Sequence, residues 1–397
     1  MYQRFKIGNK NNDKLIHKIK ELKNSGVAEL DMRSSGFEKK TAEEIVAILS
    51  NLKDSGITHL NLSWNKLGKR TTNDLVIILG ALKNSGVTDL NLTGNNLEEK
   101  TVEELIIILD ALKNSGVTHL DLSFNYLGKK TAQELTTIFS TLKQSGITYI
   151  KWTGNDLWNL KTVEEIITIL DALKKSGITH LNLGDNSLSK KTTPEIITIF
   201  DTLKHSGITH LHLCNKEFLG KTAEELATIL STLKNSGITH LDLSYCELWG
   251  KTIEELVIIL GALKNSGVTD LDLSWNNLGS KTAEELTTLF TAIPFDIESV
   301  RFGLYELQWI ALEQRQAIQT RFPDSEHIIL INGCSGKGLN PTCSRVDANI
   351  YRKLGFKMPP PSLLNMCGFF TANRISPKKC MEKLPIELYE QIQQFRT

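Results

Sequence analysis

The chain has 397 residues, and its 46 Lys and Arg side chains are balanced by 45 Asp and Glu, for a formal charge of +1. This balance lacks the basic excess that phosphate binding needs, so it argues against a nucleic-acid partner. No stretch approaches the about 18 consecutive apolar residues of a membrane span, and the N-terminal residues lack the apolar core of a Sec signal peptide.

Ser-Gly dipeptides recur along the chain with a 30-residue period and a single one-residue insertion near Trp158. After each glycine comes a segment such as residues 57–67, which carries the spacing Leu-x-x-Leu-x-Leu-x-x-Asn-x-Leu. Such self-similarity is typical of solenoids built from stacked units. We count nine units, whose glycines are Gly26, Gly56, Gly86, Gly116, Gly146, Gly177, Gly207, Gly237 and Gly267.

The rest of each unit predicts a helix with both ends marked. In the third unit Thr101 precedes Glu104 by three residues, which predicts a capping box. Leucine and isoleucine then fall at the i, i+3, i+4, i+7 spacing of one apolar stripe, and the glycine of the next unit ends the helix. The same box is predicted at Thr41/Glu44, Thr131/Glu134, Thr162/Glu165, Thr222/Glu225, Thr252/Glu255 and Thr282/Glu285.

Each unit is therefore one strand and one helix, and the fold class is α/β. Strands stack about 4.8 Å apart and helices about 8–10 Å apart, so the solenoid should curve into a horseshoe with the parallel strands on its concave side. The sequence resembles the ribonuclease-inhibitor-like class of leucine-rich repeats over about residues 14–333. That resemblance implies a protein–protein interaction module rather than an enzyme.

Period-two alternation sends Leu60 and Leu62 into the core and turns His59, Asn61 and Ser63 toward the concave side, with Trp64 at the strand exit. Aromatic residues dominate protein interfaces, so the exposed columns predict the contact surface. The candidate partner-binding residues are His59, Trp64, His119, Phe124, Tyr149, His180, His210, His212, His240, Asp242, Tyr245 and Trp275.

Four histidines, His180, His210, His212 and His240, should lie with Asp242 on adjacent strands. Imidazole and carboxylate are zinc ligands, but all of these histidines except His212 belong to a repeated Ile-Thr-His-Leu phrase that duplication explains. We therefore predict no metal and no cofactor, and the stacked imidazoles favour a pH-sensitive surface instead.

Some units depart from the repeat pattern. Ser35 and Lys216 replace the Asn of the turn, Cys246 is an accepted alternative there, and Trp152 replaces an inward leucine. The insertion near Trp158 predicts a bulge in a loop. The six cysteines include no Cys-x-x-Cys pair and are interpreted as reduced thiols, although Cys334 and Cys343 could close a loop.

The pattern changes after Phe290, which gives three predicted domains: leucine-rich repeats over 1–290, degenerate capping repeats over 291–332 and a small α-helical segment over 333–397. Strand spacing at residues 297–302, a helix over 307–322 and a strand over 327–332 predict the caps that a solenoid needs. The sequence does not indicate an oligomeric state.

Two other functions remain open for residues 333–397. Leu384-Pro385-Ile386-Glu387-Leu388 resembles the opening of an F-box, which would make the protein a substrate-recognition adaptor of a ubiquitin ligase. The chain ends before the three helices of an F-box are complete. The other alternative is an enzyme with an unrecognised active site, for which the sequence offers cysteines but no evident Cys-His pair.

The near-identical repeats, the helical tail and the Leu-Pro-x-Glu-Leu ending together resemble bacterial leucine-rich-repeat effectors secreted by type IV (Dot/Icm-type) systems. This resemblance implies a location in the bacterial cytoplasm before secretion and in the host cell afterwards. It also implies that the repeats bind a host protein.

Overall fold

The computed structural model describes residues 3–4, 12–22, 27–204, 206–303, 306, 311–322 and 328–331. The chain divides into two compact units, Met1–Asn276 with Ala292–Glu298, and Asn277–Thr291 with Ser299–Thr397. The predicted boundaries at 290 and 332 stay predictions. The helices predicted over 333–397 and the F-box-like ending lie outside the described residues.

The first unit holds ten parallel strands in sequential order, which confirms the predicted leucine-rich-repeat solenoid and adds a strand, β1, before the nine repeats. Equivalent leucines pair across neighbouring strands, as Leu30, Leu60 and Leu90 do. The strands β1 to β10 are Gln3–Arg4, Glu29–Asp31, His59–Asn61, Asp89–Asn91, His119–Asp121, Tyr149–Lys151, His180–Asn182, His210–His212, His240–Asp242 and Asp270–Asp272.

A helix follows each strand from β2 to β9, and the threonine capping boxes predicted from the sequence are present. The structure adds one more box, at Thr192 and Glu195. The helices α1 to α10 are Asn12–Glu21, Ala42–Leu49, Thr72–Gly80, Val102–Asp110, Ala132–Leu142, Leu157–Leu160, Val163–Leu173, Thr193–Leu203, Ala223–Ser231 and Ile253–Gly261.

A ladder of buried asparagines joins the turns of the first unit. Asn125 has no exposed surface, and its Oδ1 accepts the backbone N–H groups of Asn95 and Leu97 at 2.9 and 3.2 Å. Its Nδ2 donates to the carbonyls of Leu92 and Leu122, both at 3.0 Å. Each asparagine thus satisfies buried backbone groups of its own repeat and of the preceding one. The ladder comprises Asn65, Asn95, Asn125, Asn155, Asn186 and Asn276.

The ladder has a carboxyl group where the seventh repeat lacks asparagine. Lys216, the residue at the aligned position, is exposed, and its ammonium lies 2.8 Å from a carboxylate oxygen of Glu247. The next residue, Glu217, turns inward instead and accepts the backbone N–H groups of Asn186 and Leu188. Simple alignment of the repeats predicts that Lys216 takes the role of asparagine in the turn. This prediction is wrong, because the carboxyl of Glu217 reaches the two N–H donors instead.

Burial raises the pKa of Glu217 to about 8, although the backbone N–H groups oppose this shift. The folded state therefore holds the proton more tightly than the unfolded state, whose carboxyl has its ordinary pKa of 4.5. The contribution of Glu217 to the free energy of unfolding is largest below pH 4.5 and is lost as the pH rises through 8.

We expect Glu217→Gln to raise the melting temperature at pH 8 by at least about 2 °C and to change it little at pH 5. The amide keeps one acceptor oxygen for these N–H groups and needs no proton to stay neutral. Calorimetric scans at both pH values measure the difference, with the exposed Glu224→Gln as the matched control. A Glu217→Gln effect that is the same at pH 5 and pH 8 would contradict this interpretation.

The one-residue insertion near Trp158 forms the short helix α6 where most repeats have a single 3-10 turn. Trp158 is 1% exposed within it, so the predicted bulge is a packed part of the core. Trp152 is also buried, with its ring centroid 4.9 Å from that of Phe139. The irregular repeat is therefore filled by two tryptophans.

The second unit contains helix α11 (Ala283–Ala292, whose last residue belongs to the first unit), strand β11 (Ser299–Gly303), helix α12 (Leu312–Arg321) and strand β12 (Ile328–Ile331). Strands β11 and β12 are parallel. The ring centroid of Phe290 lies 5.7 Å from that of Phe302 and 6.0 Å from that of Phe322. Among the described residues, no helix is long and apolar enough to span a bilayer.

Candidate functional site

The outward side of strands β2 to β10, here called the strand face, consists of three columns of side chains. The first column starts each strand and the second column ends it, while the buried leucine or isoleucine between them points inward. The third column lies three residues beyond the second and runs Ser34, Trp64, Gly94, Phe124, Gly154, Asp185, Asn215, Tyr245 and Trp275.

The first column contains a stack of histidine rings. The ring centroids of His180 and His210 are 3.6 Å apart, and those of His210 and His240 are 3.7 Å apart. Nδ1 of each histidine lies 2.8–2.9 Å from the hydroxyl of the preceding threonine, which fixes the ring orientation. Tyr149 and His119 extend the row, with centroids 5.1 Å apart.

Burial, followed by the neighbouring imidazoles, lowers the pKa of His180 to about 4 and that of His210 to about 3. Protonation of these two rings is therefore displaced to a pH far below neutral. At neutral pH the middle of the first column is uncharged, so a pH response of the surface near pH 6 would need other groups than His180 and His210.

Side chains of the second column accept hydrogen bonds from the backbone as well as forming part of the surface. Asn61 and Asp121 each accept the N–H of the residue two positions later, at 3.0 Å, and so hold the turn that follows the strand. His212 of the seventh repeat approaches Asp242 of the eighth, with Nδ1 2.9 Å from Oδ2. The ring of Tyr149 lies parallel to that of His212, with centroids 6.0 Å apart. The candidates Tyr149, His212 and Asp242 therefore form one cluster.

The third column has an unusual backbone conformation. Trp64, Phe124, Tyr245 and Trp275 have φ values of 57°, 53°, 59° and 62°, in the left-handed region that favours glycine and asparagine. A bulky residue there costs about 1–2 kcal/mol. Gly94, Gly154 and Asn215 occupy the same column with φ values of 64°, 65° and 69°. Folding alone therefore favours small residues at this position, and the four aromatic residues call for another explanation.

Two glycines of the third column leave room for the aromatic rings of the preceding repeats. A Cβ on Gly94 would lie 2.6 Å from the ring of Trp64, and a Cβ on Gly154 would lie 2.4 Å from the ring of Phe124. Each ring therefore lies against the backbone of the next repeat. Trp64 is nevertheless 51% exposed and Phe124 36% exposed, and their ring centroids are 6.5 Å apart. A second pair, Tyr245 and Trp275, has centroids 6.1 Å apart.

All twelve candidate residues lie on the strand face of the first unit, but not all are equally accessible. Tyr245 is 41% exposed, whereas Asp242 is 8% exposed and acts chiefly as the partner of His212. Asn61 and Ser63, predicted to be exposed by alternation, are buried because their polar atoms bond each other and the turn. Whether the twelve residues contact a partner stays a prediction.

Sequence analysis missed several features of this face. Gly94 and Gly154 seat the rings, and Asp89 and Asp270 face the Nε2 atoms of His59 and His240 at 3.4 and 3.2 Å. The repeat alignment contains a signal for the glycines, because glycine and aromatic residues alternate in the third column. In the part of the chain that the structure describes, no three His, Cys, Asp or Glu side chains are arranged to hold a metal ion.

Comparison with known proteins is consistent with this architecture. A family model described as Leucine Rich repeat matches residues 57–70 and 264–286. The solved structure of the leucine-rich repeat-containing protein LegL7 from Legionella pneumophila is 28% identical in sequence. The alignment covers 91% of this chain and 100% of that one, with a TM-score of 0.60.

Other solved structures are much less similar. A protein described as a deoxyribose-phosphate aldolase from Coccidioides immitis is 14% identical, with a TM-score of 0.25 over 53% of this chain and 77% of that one. A protein described as a phosphonomutase from Burkholderia cenocepacia is 9% identical, with a TM-score of 0.26 over 45% of this chain and 81% of that one. Scores this low carry no argument about fold or activity. No curated protein sequence matches the chain significantly.

Proposed function

Because this chain is a leucine-rich-repeat protein, we propose that it is a non-enzymatic binding module whose strand face holds another protein. The observation that carries the proposal is the backbone strain of the third column. Four exposed or half-buried aromatic residues occupy left-handed positions where the other repeats have Gly, Asn, Asp or Ser. Strain that folding does not need is typical of functional sites, and aromatic residues are the commonest interface anchors.

The two aromatic pairs define where the partner binds in this proposal. Trp64 and Phe124 lie toward one end of the strand face, and Tyr245 and Trp275 toward the other, with Asp185 and Asn215 between them in the third column. Rings already held against the backbone lose little conformational entropy when they are covered. Rigid, partly exposed rings are therefore suited to supply affinity.

The cellular role that we propose is that of a bacterial effector acting inside a host cell. The likeness to a leucine-rich-repeat protein of Legionella pneumophila supports this role, together with the sequence resemblance to type IV secreted effectors. The partner is then a host protein. We propose no catalytic step, since no observation on the described residues favours one.

A capture experiment tests the proposal, with Asn as the replacement because Asn215 already occupies the third column at φ 69°. We expect the variant Trp64→Asn, Phe124→Asn, Tyr245→Asn, Trp275→Asn, here called the four-asparagine variant, to lose partner capture from host-cell lysate. Each buried aromatic anchor contributes about 2 kcal/mol or more. Quantitative mass spectrometry of proteins captured by the wild type and the variant gives the readout.

The matched control lies on the helices. Ile77, Ile107 and Ile258 are 41%, 52% and 43% exposed, at a helix position where other repeats have threonine, as at Thr137 and Thr228. The variant Ile77→Thr, Ile107→Thr, Ile258→Thr should therefore fold normally and keep capturing the partner. Capture that survives in the four-asparagine variant but not in this control would place the interface on the helices and refute the proposal.

A further inference from the structure

The strand face of the second to fifth strands is acidic as well as aromatic. Residues 29–34, 59–64, 89–94 and 119–124 contain four carboxylates but a single Lys or Arg. The carboxylates are Glu29, Asp31, Asp89 and Asp121, and the cation is Arg33. The lysines of these repeats, such as Lys53, Lys83 and Lys113, instead follow the helices. The chain is nearly neutral as a whole, so this end of the strand face has a local negative potential that the net charge conceals.

The carboxylates of the second column are not required by the turn. Asp31 and Asp121 accept the N–H two residues later at 2.9 and 3.0 Å. Asn61 and Asn91 do the same at 3.0 and 2.8 Å. Since an amide oxygen satisfies this donor as well as a carboxylate does, the turn itself does not require the negative charges at Asp31 and Asp121.

The aromatic pair lies among the same four strands: Phe124 shares its repeat with Asp121, and Trp64 lies in the repeat between those of Asp31 and Asp89. The rings of Trp64 and Phe124 rest with one side against the backbone of Gly94 and Gly154 and are partly exposed. A guanidinium group can stack on such a ring while it donates hydrogen bonds to a neighbouring carboxylate. An ammonium group lacks the planar fork that makes both contacts at once.

We propose that the patch formed by Asp31, Trp64, Asp89, Asp121 and Phe124 binds an arginine-rich segment of the partner protein. This inference rests on the proposed function and adds the chemistry of the partner. Four strands span about 14 Å at 4.8 Å per interval, the length of about four or five extended residues. Beyond this patch Lys151 brings a positive charge to the second column, so the middle of the face is less suited to a basic segment.

Fluorescence anisotropy with the full chain and a labelled arginine-rich peptide tests the inference at about 0.15 M ionic strength. We expect the variant Asp31→Asn, Asp89→Asn, Asp121→Asn to raise the Kd on the order of tenfold, the equivalent of about 1.4 kcal/mol. The variant Glu103→Gln, Asp110→Asn, Glu164→Gln makes the same change of charge on exposed helix residues and should leave the Kd within about twofold. A lysine-rich peptide should bind more weakly than the arginine-rich one, and Trp64→Asn should reduce that difference.

Three outcomes would overturn the inference. Equal losses in both charge variants would mean that the peptide senses only net charge. Equal Kd values for the arginine-rich and lysine-rich peptides, with no effect of Trp64→Asn, would remove the role of the rings. Failure of the arginine-rich peptide to bind, while the four-asparagine variant still loses its captured partner, would refute the basic segment and leave the protein-binding role intact. Capture that is insensitive to the four-asparagine variant would instead refute the proposed function.

Discussion

Replacing Asn125 with alanine is expected to lower the free energy of unfolding by about 3–5 kcal/mol, because the substitution leaves several buried backbone groups without hydrogen-bond partners. The N–H groups of Asn95 and Leu97 lose their acceptor, and the carbonyls of Leu92 and Leu122 lose a donor. Asn125 has no exposed surface, so water cannot replace these bonds without opening the repeat. Urea titration followed by circular dichroism measures the change.

The matched control is Asn159→Ala, which removes an exposed asparagine from the short helix α6. Its side chain bonds only other exposed side chains, Asp156 and Lys190, so the expected change is within about 0.5 kcal/mol. Similar losses of stability in the two variants would show that the ladder does not stabilise the first unit as described.

Ending the chain after Phe290 is expected to cause aggregation or a melting temperature lower by about 5 °C or more. In the full chain Phe290 is 1% exposed and packs against Phe302 and Phe322, both of which the truncation removes. The truncation also removes Glu298, whose N–H donates to the carbonyl of Thr269 at 2.7 Å. An exposed apolar edge of this kind promotes association.

A chain that ends at Gly355 keeps every described residue and serves as the control. Differential scanning calorimetry and light scattering of the two truncations, alongside the full chain, give the comparison. Equal melting temperatures for the full chain and the chain that ends at Phe290 would contradict the predicted capping role of residues 291–332.

The sequence was sufficient to predict the solenoid because each repeat contains local signals that define its own strand and helix. The Thr-x-x-Glu boxes and the glycines at the helix ends are local signals, and they recur with little variation. Strand β1 has no such signal, since Gln3–Arg4 precedes the first Ser-Gly dipeptide and is identified only by its pairing with β2.

The seventh repeat shows where alignment of repeats is insufficient. Alignment places Lys216 in the asparagine ladder, but a lysine has no acceptor for the two backbone donors there. The chain meets this need with Glu217, one residue later, and accepts a buried carboxyl with a raised pKa. Which side chain turns inward depends on the tertiary surroundings and not on the repeat spacing.

The columns of the candidate site could be predicted from the sequence, but the burial and backbone conformation of their residues could not. Alternation identified the strand face, but it did not distinguish Asn61, which is buried by its bonds to the turn, from Trp64, which is 51% exposed. The left-handed backbone of the third column is visible only in the structure. In this conformation the four aromatic residues cost more free energy than the Gly and Asn residues of the same column.

The central claim is that the third-column aromatic residues serve binding and not folding, and one paired measurement tests it most directly. Isothermal titration of the purified partner gives the Kd for the wild type and the four-asparagine variant, and calorimetry gives their melting temperatures. We predict a Kd at least about 100-fold weaker in the variant, with a melting temperature within about 2 °C of the wild type. An unchanged Kd, or a loss of binding that merely follows a large fall in melting temperature, would contradict the claim.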